Sequence, residues 1–460
     1  MVFSSNIFLF FYLPAVLALY YAAPRKARNL VLFLVSLFFY GWGEPAYIAI
    51  MVFTILLNYA CGAWITALQR RGREAKAALA LSVAANLAVL GCFKYAAFLV
   101  RTLHVFPPLR TLPVPEIALP IGISFYIFQS MSYTIDVYRH EAAPAGNLLR
   151  FGTYVSMFPQ LIAGPIVRYR DVAEQIDRRR ESVEKFAAGV TLFIVGLAKK
   201  VLLANQVGAL WEAMIPEQGA LSAWAGLFAY SMQIYFDFSG YSDMALGLGK
   251  MLGFEFLKNF NYPYIAQSVT EFWRRWHISL ATWFREYVYI PLGGNRRGLK
   301  RQILNILIVW SLTGLWHGAS WNFVFWGLYY GLFIAADRLF LNRWTARWPA
   351  FCRHLATLLV VDLGWPLFYF EDIRVGAAFL GRLFSGGATG VHAQHMILAY
   401  LPILLAAALA STPLAAGLAR RAGDSRAYKL CKLLSLTVLL LLSVAALATQ
   451  SYNPFIYFRF

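Results

Sequence analysis

Long apolar segments follow one another from the start of the chain to its end. A helix needs about 20 mostly apolar residues to cross the ~30 Å hydrocarbon layer of a bilayer. Segments of roughly this length lie near 6–22, 29–43, 46–68, 77–100, 117–138, 186–206, 221–240, 302–316, 321–341, 354–370, 395–417 and 430–449. With 60% hydrophobic and 14% charged residues, 460 residues carry more apolar surface than a water-soluble fold can bury. The pattern predicts an all-α polytopic membrane protein of about 11–12 transmembrane helices.

The basic residues, which give a net charge of +19, cluster in alternate gaps between the apolar segments. The basic gaps lie near 25–28, 70–76, 168–185, 274–301 and 420–432, whereas opposite gaps such as 207–220 and 371–394 contain few Lys or Arg residues. Cytoplasmic loops carry such an excess. The distribution therefore places the basic loops in the cytoplasm and both termini outside. It also argues against a nucleic-acid partner, which needs a basic face on a soluble surface.

Two stretches do not fit the pattern of simple spans. Residues 151–169 contain Pro159, Gly164 and Pro165, and residues 258–294 mix Trp, Arg, His, Asn and Pro with apolar residues. Irregular or charged backbone at membrane depth persists only where it is buried in protein or lines a wet cavity. We expect both stretches to be re-entrant or interfacial segments around an internal chamber. Residues 1–460 are predicted to form one integral-membrane domain.

Several kinds of chemistry lack their sequence signatures. The four cysteines occur singly, without the spacing of a metal site or the density of a disulfide scaffold, so no metal site is predicted. The sequence has no G-x-S-x-G, P-loop or H-E-x-x-H motif. These observations argue against an ordinary hydrolase, a nucleotide-driven pump and a zinc protease.

Two of the seven histidines, His277 and His317, lie in dense clusters of polar and aromatic residues at predicted membrane depth. An ionisable side chain there is costly and is a candidate functional residue. The alternative is a neutral histidine that links helices by hydrogen bonds. For His277 a structural role and a helper role, orienting or polarising an acyl carbonyl, fit equally well.

The neighbours of His317 favour a catalytic role. Gly314 and Gly318 allow another backbone or a flat ligand to approach closely, and Trp316 and Trp321 can wall off a narrow passage. Burial favours the neutral imidazole, which can act as a base. Transfer of an acyl group from a thioester to a hydroxyl requires such a base, because the hydroxyl proton must leave.

Other polar residues could complete a site. Arg274, Arg275 and Arg285 could bind the phosphates of a donor such as coenzyme A, although the positive-inside rule alone also explains them. Asp237, Ser239, Tyr241 and Asp243, with Asn261, are assigned to the chamber wall. For the two carboxylates, a hydrogen-bond network or an ion pair with the arginine cluster is favoured over acid–base catalysis.

Five runs of sequence resemble the membrane-bound O-acyltransferase family. They are LPIGISF at 119–125, FPQLIAGP at 158–165, DFSGYSD at 237–243, EFWRRWHIS at 271–279 and GLWHG at 314–318. They occur in the family's order and extend over most of the chain. The resemblance is greater to the bacterial members of alginate and peptidoglycan O-acetylation than to the D-alanyl transferases of teichoic acids.

The resemblance implies a helical bundle around a funnel or tunnel in the bacterial inner membrane. It implies cytoplasmic acetyl-CoA as donor substrate, no permanently bound cofactor, a catalytic histidine at His317 and a second polar position at His277. It also implies an extracytoplasmic acetyltransferase partner and a polysaccharide acceptor, reached directly or through that partner. The aromatic C-terminal residues 455–460 are expected to pack near the site or to contact the partner.

Three other functions remain open on the sequence alone. One is transfer of D-alanyl or another acyl group to a cell-envelope polymer. A second is a transporter or export component without chemistry of its own, which broken helices and midplane polar residues would also suit. A third is a structural scaffold for an envelope-assembly complex.

Overall fold

The computed structural model describes residues 1–423, 425–449 and 456, and every regular element within them is a helix. In this part of the chain seven helical stretches are long and apolar enough to cross a membrane. They are Pro45–Arg70, Lys76–Leu103, Val183–Met214, Trp321–Thr345, Ala350–Tyr369, Val391–Ala410 and Arg426–Thr449, and Phe8–Ala22 is a shorter apolar helix. The predicted all-α polytopic class is confirmed.

The remaining predicted spans coincide with helices that are shorter or richer in polar residues. The segments near 29–43, 117–138, 221–240 and 302–316 correspond to Arg28–Gly43, Ile123–Tyr138, Ala220–Met251 and Gly298–His317. The predicted span 395–417 ends earlier, at Ala410, because the chain turns before Pro413 and begins a separate helix at Leu414.

Contacts between Cα atoms group the chain into two compact units, of which the first comprises Met1–Phe193 and Met244–Leu257. Its α-helices are Leu13–Ala22, Arg28–Gly43, Ile48–Arg70, Lys76–Leu90, Ala96–Leu103, Ile123–Tyr138, Leu148–Ser156, Phe158–Leu161 and Tyr169–Arg178. Val183–Ala198 and Ala220–Met251 contribute residues to both units. That residues 1–460 form one domain stays a prediction.

The irregular stretch 151–169 of the first unit consists of short helices that break at Met157. Its residues are buried almost without exception. The break is held by polar contacts: the Phe158 backbone N–H donates to Ser36 Oγ at 3.1 Å, and Gln160 Nε2 donates to the Tyr154 carbonyl oxygen at 2.6 Å. The stretch is thus buried in protein, as irregular backbone in a membrane protein must be.

The second unit comprises Ile194–Asp243 and Lys258–Phe460. Its α-helices within the described residues are Asn205–Met214, Val269–Arg275, Ile278–Phe284, Gly298–His317, Trp321–Ala336, Asn342–Thr345, Ala350–Tyr369, Ile373–Arg382, Val391–Ala410, Leu414–Ala422 and Arg426–Thr449. Short π-helical turns occur at Lys199–Ala204, Arg285–Tyr289 and Asp337–Leu341.

The helices Gly298–His317 and Trp321–Ala336 form a tightly packed antiparallel hairpin. A Cβ atom added to Gly314 would overlap the Phe323 carbonyl oxygen, and one added to Gly327 would overlap the Trp310 carbonyl oxygen. The expectation that Gly314 allows a close backbone approach is confirmed. Since His317 is the last residue of the first helix, this contact fixes where the imidazole lies.

Candidate active site

His317 lies in an aromatic shell at the end of the helix Gly298–His317. The helix stops there because Gly318 adopts an extended conformation, and the next helix starts at Trp321. The imidazole is buried, and its ring centroid lies 5.1 Å from that of Trp316, 5.1 Å from that of Trp326 and 5.3 Å from that of Phe368. Such a shell excludes water, which strengthens the electrostatic interactions inside it.

His277 lies beside His317, with 6.4 Å between the ring centroids. It occupies the turn between the helices Val269–Arg275 and Ile278–Phe284, with a left-handed φ of +45°. This conformation costs on the order of 1 kcal/mol for a residue other than glycine, and such strain clusters at functional sites. The two histidines that the sequence singled out are therefore brought together.

The turn at His277 is held by Asn259. Asn259 Oδ1 lies 3.1 Å from His277 Nδ1 and accepts hydrogen bonds from the backbone N–H and the hydroxyl of Ser279, at 3.2 Å and 2.9 Å. The ring of His277 is buried, and burial favours its neutral form. The sequence analysis missed Asn259, because nothing in its local pattern connects it to a residue 18 positions away.

A cavity of about 430 Å³ joins the two histidines to a group of arginines. On the helix Gly298–His317 it is lined by a stripe of residues, Gln302, Ile306, Val309, Trp310, Thr313 and His317. Gln302 and His317 are 15 positions apart, or about 22 Å along a helix. The cavity is therefore a long passage rather than a compact pocket.

Three arginines line the same cavity. Arg274, Arg285 and Arg338 line it, all of them exposed, together with Asn295 and Asn342. Arg338 follows the second helix of the hairpin, and the antiparallel packing brings this region towards Gln302 rather than towards His317. The sequence analysis missed Arg338, which lies just after an apolar segment and near no other predicted site residue.

A second, smaller cavity of about 20 Å³ is also lined by His317. His317 and Trp276 line both cavities, and Asp237, Phe368 and Ile456 line only the smaller one. Asp237 forms an ion pair with Lys200 at 2.6 Å, and its Oδ2 accepts a hydrogen bond from the Ile456 backbone N–H at 2.8 Å. Apart from Ile456, the C-terminal segment 455–460 lies outside the described residues.

The two predicted carboxylates pair with lysines. Lys199 Nζ lies 2.6 Å from Asp243 Oδ2, and the Lys200 partner of Asp237 also donates to Asn205 Oδ1 at 2.9 Å. Of the two predicted alternatives, a hydrogen-bond network or an ion pair with the arginine cluster, the second is not formed, because the π-helical turn at Lys199–Ala204 presents two lysines to the carboxylates instead. The pairing with lysines could have been predicted, because two adjacent lysines inside a predicted span are costly unless they are paired with acidic residues.

Four other predicted site residues, Ser239, Tyr241, Asn261 and Arg275, do not line the cavity. Ser239 and Tyr241 are buried within Ala220–Met251 and are not among its lining residues, nor is Asn261. Arg275 is bound to Glu271 Oε1 at 2.8 Å and donates to the Asn261 carbonyl oxygen at 3.1 Å. Its guanidinium therefore stabilises the segment rather than facing the cavity.

Neither of the two tryptophans predicted to wall off a passage is among the lining residues of the two cavities beside His317. Trp316 is buried against both imidazoles, with ring centroids 5.8 Å apart for His277. Trp321 is 52% exposed and lines a separate open depression with Ser320 and Phe325. Trp326, farther along the same helix, takes the expected place beside His317, because helical periodicity turns Trp321 away from it.

Known proteins with similar sequences show the family of this chain. The family model described as "MBOAT, membrane-bound O-acyltransferase family" matches residues 137–379, which include both histidines. A Pseudomonas putida protein described as "Probable alginate O-acetylase AlgI" is 40% identical, over 100% of both chains. The peptidoglycan O-acetyltransferase of Helicobacter pylori is 32% identical over 86% of this chain and 82% of its own. The teichoic acid D-alanyltransferase of Bacillus subtilis is 25% identical over 54% of this chain and 68% of its own.

The resemblance seen in the sequence is thus confirmed, including the greater likeness to the O-acetylating members. A family match over more than half of the chain, together with full-length similarity, leaves one assignment. The chain belongs to the membrane-bound O-acyltransferase family and is a multi-pass O-acyltransferase of the bacterial inner membrane.

Proposed function

We propose that this protein takes acetyl groups from cytoplasmic acetyl-CoA and supplies them across the inner membrane for O-acetylation of an extracytoplasmic polysaccharide of the alginate or peptidoglycan kind. The observation that carries the proposal is the long cavity, which is lined by two imidazoles and by three arginines. The names of these two relatives support acetyl transfer to such polymers.

The arginines of the cavity suit the phosphates of coenzyme A. Guanidinium groups bind phosphates through paired, charge-assisted hydrogen bonds. The positive-inside rule explains basic loops in general, but it does not require Arg274, Arg285 and Arg338 to line one passage that ends at His317. A donor held at the arginines could extend its thioester along the passage to the histidines.

His317 is proposed to act as the base at the reaction centre. Its imidazole takes the proton of the acceptor hydroxyl while that oxygen attacks the thioester carbonyl carbon. The carbon–sulfur bond then breaks, and the thiolate of coenzyme A leaves and takes up the proton. His277 acts as the second polar group of the site, 6.4 Å away between ring centroids.

The acceptor is proposed to reach His317 from the side of the smaller cavity. His317 lines both that cavity and the donor passage, whereas Asp237, Phe368 and Ile456 line only the smaller space. The acceptor is a polysaccharide hydroxyl, or a group of an extracytoplasmic acetyltransferase partner that completes the delivery. In this arrangement the donor enters from the cytoplasmic side and the acceptor from the opposite side. The acetyl group therefore passes across the membrane during the transfer.

Removing two of the cavity arginines should weaken donor binding. For the double variant Arg274→Gln/Arg338→Gln we expect the KM for acetyl-CoA to rise about tenfold or more, with kcat little changed, because charge-assisted hydrogen bonds to phosphate are lost. Steady-state kinetics of the purified protein in lipid nanodiscs measures both constants. The matched control Arg296→Gln removes an exposed charge outside the cavity lining and should leave KM unchanged. Equal KM values in the double variant and the control would contradict the donor site.

The donor passage should open to the cytoplasm. A cysteine introduced by Arg296→Cys should resist a membrane-impermeant maleimide in spheroplasts and react in inverted vesicles, and Gly387→Cys should behave in the opposite way. Both variants are made after the exposed Cys92, Cys352 and Cys431 have been replaced by serine. Labelling of residue 296 in spheroplasts would contradict the proposal that the donor passage opens to the cytoplasm.

A further inference from the structure

We propose that Asn259 is a positioning residue that holds the ring proton of His277 on Nδ1, so that Nε2 accepts a proton or hydrogen bond during transfer. The inference rests on the proposed function and deepens it. It assigns His277 an accepting role and makes the neutral ring unsuitable for polarising the acyl carbonyl, which would need a donor.

The orientation of the Asn259 side chain follows from its neighbours. The backbone N–H of Ser279 can only donate, and it lies 3.2 Å from the same Asn259 atom that faces His277 Nδ1 at 3.1 Å. That atom must therefore be the amide oxygen, because an amide nitrogen would face a second donor. An oxygen there requires Nδ1 to donate. A neutral imidazole has only one ring proton, which leaves the lone pair on Nε2.

The backbone around Asn259 holds the same turn. The Asn259 carbonyl oxygen accepts from the Ile278 N–H at 3.0 Å, and the Asn261 N–H donates to the Arg275 carbonyl oxygen at 2.9 Å. These bonds lie on either side of His277 and fix its left-handed conformation. Asn259 is fully buried, so its hydrogen bonds do not compete with bulk water.

In this arrangement His317 and His277 both act on the acceptor hydroxyl, His317 as the base and His277 as a hydrogen-bond acceptor. Both rings line the donor cavity. A neutral amide partner, unlike a carboxylate, orients the imidazole without adding a charge that would favour its protonation. His277 Nε2 can therefore accept the hydrogen bond of an incoming hydroxyl and align it, before the proton leaves and the oxygen–carbon bond forms.

Two substitutions of Asn259 separate positioning from a structural role. Asn259→Leu removes the acceptor, so we expect kcat to fall about 100-fold with an unchanged KM for acetyl-CoA. Asn259→Asp keeps the acceptor but adds a charge that favours imidazolium. We expect it to retain much of the activity and to lose activity on the acidic side at a higher pH than the wild type. The matched control is Asn305→Leu, which removes another fully buried amide, whose nitrogen donates to the backbone carbonyl oxygens of Leu292 and Gly294.

The pH–rate profiles and a spectroscopic measurement test whether Asn259 holds the ring proton of His277 on Nδ1. In protein labelled with 15N-histidine, the ring shifts should report a Nδ1-protonated His277 that is lost in Asn259→Leu and retained in Asn305→Leu, with His277→Asn assigning the signal. A His277 ring protonated on Nε2, or identical pH profiles in Asn259→Asp and the wild type, would overturn the inference. If the wild type consumed no acetyl-CoA, the proposed function would fail, while the ring shifts would still test the role of Asn259.

Discussion

Replacing His317 by alanine is expected to abolish acetylation while the protein remains inserted in the membrane at normal abundance. The imidazole takes up the hydroxyl proton in the proposed reaction, and within the described residues His277 is the only other histidine that lines the cavity. General-base catalysis contributes at least about 100-fold to a rate. The loss should therefore be visible as missing ester-linked acetyl groups on the exopolysaccharide of cells that depend on this protein.

Two comparisons guard against a folding defect in that experiment. His317→Gln preserves much of the side-chain volume but not the basicity, and it should be as inactive as the alanine variant. His395→Ala removes an exposed histidine outside both cavities and should acetylate normally. Normal acetylation by either His317 variant would contradict the assignment of the base.

Substitution of Gly314 by alanine should also inactivate the enzyme, although residue 314 carries no reactive group. The added Cβ atom would overlap the backbone carbonyl oxygen of Phe323, so the two helices of the hairpin must separate. Overpacking of this kind costs about 1–3 kcal/mol. Because His317 is in the next helical turn, its ring must move relative to Trp326 and His277, and activity should fall together with the unfolding temperature.

The matched control for this prediction is another helical glycine. Gly381 has open space where a Cβ would lie, so Gly381→Ala should keep its activity and gain slightly in stability, by up to about 1 kcal/mol. Thermal unfolding in detergent and acetyl transfer would be measured on both variants. A Gly314→Ala protein as stable and active as Gly381→Ala would show that the close approach of the helices is not needed.

Much of this architecture follows from local features of the sequence. Apolar length alone predicts the helical membrane class, because lipid leaves helices few alternatives. His277 and His317 stand out because ionisable groups are rare at membrane depth. Gly314 indicates a close helix contact through its missing side chain. Each of these signals depends on a residue and its immediate neighbours.

The features that could not be predicted depend on which distant residues meet. Asn259 and the Lys200–Asp237 ion pair are such cases, since neither partner determines the other along the chain. Trp321 and Trp326 show a related difficulty. Both are tryptophans on one helix, and only the rotation of that helix against its neighbour decides that Trp326 contacts His317.

The most direct test of the central claim is the fate of acetyl-CoA labelled in its acetyl group, incubated with the purified protein in nanodiscs together with an extract containing the acceptor. The account predicts that free coenzyme A accumulates and that label enters an alkali-labile ester with the wild type, and that neither occurs with His317→Ala. An intact thioester with the wild-type protein, as expected of an export component, would contradict it, and so would equal turnover by the His317→Ala variant.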